Sequence, residues 1–213
     1  MKANTKKALI LSVCAVLLVC TTLFTTLAFL TDKTDAVTNT FTIGKVDIDL
    51  YETDPTATDP TAKVTQRENI KIIPGDVAAK DPTVEVKAGS EACWLYVKVT
   101  ETNNTLTSDD TQKYILFDVI TGTNGWTALD ATNYPGVYYR QVAAADATAG
   151  ITYPVIQDKE ATPVQNKVSF NSAITSADAE AALTNVPTRT FKAYAIQSDK
   201  VATAAAGWAE VKD

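Results

Sequence analysis

The chain contains no histidine. That absence removes Ser-His-Asp and Cys-His catalysis, and with them the His-Glu-x-x-His zinc motif. Cysteine is scarce, with Cys14, Cys20 and Cys93 the only three. The first two lie in the N-terminal apolar run, so the remainder holds one thiol and no intrachain disulfide. Cys93 sits within an apolar strand pattern, where cysteine behaves as a small hydrophobe. A reactive thiol needs a polar, electropositive setting instead. Glycine numbers eight, and no Gly-x-Gly-x-x-Gly phosphate loop is present. Cationic charge is outweighed, with 19 Lys and Arg against 25 Asp and Glu and a formal charge of −6. Such a surface repels phosphate, which argues against nucleic-acid and anionic-membrane partners. Long helical runs are missing from the rest of the chain, which excludes a helix bundle.

What is present begins at the N-terminus. Lys2, Lys6 and Lys7 precede an uncharged run from Ala8 to Leu30. A basic start, an apolar stretch and then small residues describe a secretory signal. Thr26-Leu27-Ala28 supplies small side chains at the −3 and −1 positions, which puts cleavage between Ala28 and Phe29. The alternative is a retained anchor, since 23 uncharged residues exceed the ~20 that span a bilayer. The membrane is then met only through this uncleaved segment. Lipidation is disfavoured because Val13 and Val19 precede Cys14 and Cys20, where lipoprotein signals carry Gly or Ala. Cleavage removes three lysines and takes the formal charge from −6 to −9. The expected organisation is a signal peptide over 1–28 and one secreted β domain over 29–213, with a mobile loop at 52–63.

The mature region alternates at period two in many short stretches. Phe41 and Ile43 alternate with threonines; after Gly44 the apolar set shifts to Val46, Ile48 and Leu50. Strict alternation predicts a strand with one buried face, and the shift at Gly44 predicts a bulge or break. Further strands are expected at 70–73, 83–87, 92–100, 114–120, 126–129, 137–142, 151–156, 167–170 and 190–196. Pro74-Gly75-Asp76 and Gly89-Ser90 mark turns, and Asn124-Gly125 marks a hairpin. Residues 101–111 read as a surface connection. Thr175 or Ser176 caps a short helix that Pro187 ends, and residues 201–211 form a second around Trp208. Many short strands with turns between them define an all-β fold, a sandwich or a barrel.

Chemistry-bearing candidates are few. Asp47 with Asp49, and Asp109 with Asp110, read as solvated carboxylates before they read as a cation site, because calcium needs about six to eight oxygens brought together. Trp94 and Tyr96 face away from Leu95 and are either packed in a second layer or open as a carbohydrate platform. Trp126 and Tyr138-Tyr139 are further aromatics for such a module. No catalytic, cofactor or metal residue is selected.

Four stretches together carry a resemblance. They are the signal running into Ala28-Phe29-Leu30-Thr31-Asp32 and then Thr38 to Ile48; Pro74-Gly75-Asp76 with Lys80 beyond; Gly89-Ser90 opening the strand to Val99; and Phe191 to Gln197. This order resembles the TasA/camelysin family, secreted Gram-positive proteins processed by a SipW-type signal peptidase. The resemblance implies a jelly-roll-like antiparallel β-sandwich with one or two short helices after an N-terminal signal helix. It also implies a place at the cell surface or in the biofilm matrix, and self-association. Some members form fibres in which the segment after the cleavage site inserts into the neighbouring subunit. The assembly strand expected here is Phe29, Phe41, Ile43, Val46, Ile48 and Leu50, whose main chain can pair with an open sheet edge. The camelysin branch has been described as metallopeptidases, and the lack of histidine departs from that activity.

Overall fold

The computed structural model describes residues 2–29, 44–54, 56–59, 61–66, 70–123, 125–159 and 162–211. The chain divides into two units, 1–42 and 43–213.

The first unit holds helix α1, Lys2–Phe29. Its described side chains, 4–18, are all exposed, including Leu11 at 76% and Leu18 at 67%. A helix that is apolar all round has no polar face to turn to water. Among the described residues no helix is long and apolar enough to cross a membrane; in α1 the described side chains run only from 4 to 18.

The second unit is an antiparallel β-sandwich. One sheet orders β10 (Ile151–Pro154), β4 (Thr83–Val86), β1 (Ile48–Thr53) and β2 (Lys63–Val64). The other orders β13 (Thr188–Gln197), β5 (Cys93–Thr102), β9 (Tyr134–Val142) and β8 (Thr127–Asp130). Val84 and Val86 from the first sheet meet Cys93, Leu95, Val97 and Val142 from the second in one buried core. Each such side chain contributes roughly 1.5–3 kcal/mol by leaving water. At one side β1 lies beside β13. A smaller sheet of β3 (Val77–Ala79), β12 (Lys167–Phe170) and β6 (Ile115–Leu116) extends the core through Val168 and Phe170. A two-stranded ladder joins β7 (Asp118–Val119) to β11 (Ile156–Gln157).

Three short helices complete the unit: α2 (Ala144–Ala149), α3 (Ser176–Thr184) and α4 (Ala204–Val211). Thr175 caps α3 in a reciprocal box with Asp178. Helix α4 covers the outer face of the β13–β5–β9 sheet. There Trp208 packs on Tyr96 and Tyr194, with ring centroids 5.5 and 5.1 Å away. Trp94 Nε1 donates to the Val201 carbonyl at 2.9 Å and the Tyr96 hydroxyl to that of Ala204 at 2.7 Å. A side chain at Gly207 would collide with the Tyr96 hydroxyl, so glycine lets the helix approach this closely.

Several local expectations change. The strand expected at 70–73 does not form, although Ile70 and Ile72 pack against the core. The strand expected at 114–120 splits into β6 and β7, which join different sheets. The Gly125 N–H reaches the Gly122 carbonyl at 3.0 Å, and among the described residues β8 pairs with β9, not with the strand before the turn. The expected loop 52–63 is narrower: Glu52 and Thr53 belong to β1, where they pair with Val64 and Lys63. The connection at 101–111 is anchored, because Asn104 and Leu106 within it are 3% and 2% exposed.

Candidate functional site

The expected assembly residues fall into three groups. Phe29 is the last residue of α1 in the uncleaved chain. The uncharged run that reads as a signal is also a continuous helix former. Phe41 and Ile43 lie outside the described residues. Val46, Ile48 and Leu50 pack against the core of their own chain. Ile48 pairs with Val86 and Leu50 with Val84 in the β1–β4 ladder. These three residues are engaged in a sheet of their own domain. The Gly44 position is tight: an added Cβ would lie 2.8 Å from Glu91 Cγ. Beyond it, the Glu91 N–H bonds the Lys45 carbonyl at 2.9 Å and the Lys87 N–H that of Asp47 at 2.9 Å. Among the described residues, Lys45 is the first with a main-chain hydrogen bond to the sandwich.

An acceptor requires an open edge. The β13 strand is ten residues long and, among the described residues, its ladder partner is β5 alone, from Thr188 opposite Thr102 to Gln197 opposite Cys93. The strand is about 33 Å long, at ~3.3 Å per residue; its other side carries no ladder among the described residues, and β1 of the same chain lies beside part of it. The other terminal strands are much shorter: four residues in β8 and β10 and two in β2. Short edge strands are a standard protection against unwanted pairing, and β13 lacks it.

Two buried features make this unit firm. Lys80 and Glu52 form an ion pair at 2.6 Å, with side chains 14% and 11% exposed. Glu52 Oε2 has no hydrogen-bond partner, so the carboxylate depends on Lys80. Asp178 is fully buried and accepts from the Thr107 hydroxyl at 2.8 Å, the Ser108 N–H at 2.8 Å, and the Ser108 and Thr175 hydroxyls at 2.6 Å. Hydrogen bonds from Ser108 and then Thr175 hold its carboxyl far below the usual range, against the opposing effect of burial. These bonds tie the 101–111 connection to α3.

The remaining candidates are accounted for by packing and pairing. Cys93 is fully buried, and burial pushes its thiol up to about 11. Tyr96 is covered by α4, and burial pushes its hydroxyl up to about 12. Trp126 is 1% exposed, which removes it from any surface platform. Asp47 and Asp49 lie 3.5 and 3.2 Å from Lys87. Asp109 accepts from its own turn, from Thr111 N–H at 3.0 Å. Among the described residues no group of three or more His, Cys, Asp or Glu is placed to hold a metal ion.

The fold defines a class: an antiparallel β-sandwich with a helix-covered outer face and, among the described residues, one long edge strand laddered on one side only. No protein-family model, curated protein or solved structure matches the chain.

Proposed function

We propose that this is an extracellular structural protein that assembles by strand addition at β13, with the segment between α1 and residue 44 of one copy pairing along the edge of the next. The observation that carries the reading is the ten-residue β13 edge beside sheet termini of two to four residues. Main-chain pairing along such an edge supplies affinity, and alternate side chains supply specificity. The alternation of Phe41 and Ile43 with threonines suits that role. Export, processing after Ala28 by a SipW-type peptidase, and a surface or matrix location belong to the same reading, which assigns no catalytic residue. Tethering through α1 before cleavage then makes processing the step that frees the donor.

Electron microscopy of protein beginning at Phe29, at neutral and acidic pH, tests it. Fibres are expected, favoured at acidic pH where a −9 chain loses self-repulsion. Removal of residues 29–40 is expected to abolish them. Dispersed monomers under all conditions would sink the reading.

A further inference from the structure

We propose that the cavity around Arg189 is a binding site for a small carboxylate carried on a single ring. The cavity has a volume of about 280 Å³, just below the roughly 300–1,000 Å³ found for ligand sites, which limits the occupant to about one ring. It lies where β5 parts from β9: their pairing stops at Lys98 opposite Val137, and Gly136 turns away with φ of 74°. Val99, Ile115, Phe117 and Tyr138 provide apolar wall.

Arg189 supplies the recognition group. Its side chain is 7% exposed and its Cζ lies 4.4 Å from the Phe117 ring centroid. Nη2 donates to the Ile115 carbonyl at 2.9 Å, and Nη1 pairs with Glu101 Oε1. Those two partners leave most of the five guanidinium donors unused. Nε is buried with no hydrogen-bond partner at all. A buried guanidinium short of acceptors is matched by a carboxylate, which can take two of its N–H groups together.

Glu101 fills that need only in part, through Oε1 on Nη1. Its Oε2 is occupied by Lys113 and by Asn104 Nδ2, the latter at 3.4 Å. Lys113, Lys159 and Arg189 against Glu101 and Asp118 leave the cavity lining with one net positive charge. The whole chain is at −6, so this is a local reversal of sign. Two sources share the chemistry: a uronate residue of a polysaccharide, and an aromatic carboxylate.

Nuclear magnetic resonance titration of the full chain in mild detergent tests the site, with glucuronate, benzoate, glucose and benzamide as probes. One or both carboxylates should shift the amides of residues 115–119 and Tyr138 with a Kd of about 1 mM, while the neutral analogues do not. Response to glucuronate alone names the saccharide source, and to benzoate alone the aromatic one. Arg189→Lys, which loses the planar fork, should weaken binding at least about tenfold. Lys159→Glu, at the exposed rim, should weaken it a few-fold, and it keeps the test valid if Arg189→Lys does not fold. No response to either carboxylate, an equal response to the neutral probes, or unchanged affinity in both variants would overturn the proposal.

Discussion

The β13–β5–β9–β8 sheet has two edges that differ in almost every respect. β8 is four residues long, and its pairing with β9 is broken by a register shift between Ala128 and Asp130. β13 runs ten residues in unbroken register with β5. The first edge is protected in the usual way, by shortness and irregularity. The second is a regular template. One sheet thus carries a short, irregular edge and a long, regular one, and this difference is what supports the proposal of strand addition at β13.

The largest expected effect follows from removing the donor. Protein lacking residues 29–40 should remain monomeric by light scattering under conditions where the chain from Phe29 assembles, with the body's thermal stability unchanged. Loss of folding would show instead that these residues belong to the body.

Next comes the support behind β13. Trp208→Ala removes the ring that α4 presses onto Tyr96 and Tyr194. A buried Trp-to-Ala change costs about 3–5 kcal/mol, read as a lower midpoint in urea unfolding. Lys80→Ala leaves Glu52 in β1 without its cation. The expected cost is about 3 kcal/mol, because a buried charge is left uncompensated. Replacing Glu52 and Lys80 together by Leu and Met should recover most of that loss; if it does not, the ion pair is not the cause.

Asp178 contributes a smaller, pH-dependent effect. Its folded carboxyl titrates below the unfolded value, so its stabilisation is present above about pH 4 and is lost as the pH falls toward the folded value. Asp178→Asn should lower the thermal midpoint by roughly 5 °C at neutral pH and flatten the acid limb of the stability profile. Acid therefore works in two directions. It relieves self-repulsion between copies while loosening the 101–111 connection within each. The smallest effect belongs to the protected edge: Thr127→Lys in β8, an exposed position, should change stability by less than about 0.5 kcal/mol and leave assembly intact.

The strands that alternate cleanly were legible in the sequence. Val84 and Val86, the odd positions from Cys93 to Val99, and Phe191 to Ile196 all form strands where the period puts them. The α3 cap was also readable, because Thr175 and Asp178 sit three residues apart. What escaped depends on partners far away in sequence. Residues 114–120 alternate well as one strand, yet Leu116 bonds opposite Ser169 and Val119 opposite Ile156, and the two ladders divide them. Ile70, Ile72 and Ile73 are strand-forming residues, yet 70–73 join no ladder among the described residues. Helix α2 has no side-chain cap at Ala143. Arg189 lies just outside the strand expected at 190–196, and nothing marks it until its neighbours Phe117, Ile115 and Glu101, about 70 to 90 positions earlier, are brought against it. The alternation after Gly44 located β1 correctly, but period alone does not say which sheet a strand joins, since a donated strand and a domestic one share it.

Hydrogen exchange on assembled material, compared with monomer, tests the central claim most directly. The account predicts that the outward-facing amides of residues 188–197 become protected on assembly while those of residues 127–130 keep their monomer rates. Unchanged exchange along β13 in assembled material, or new protection at β8 instead, would contradict it.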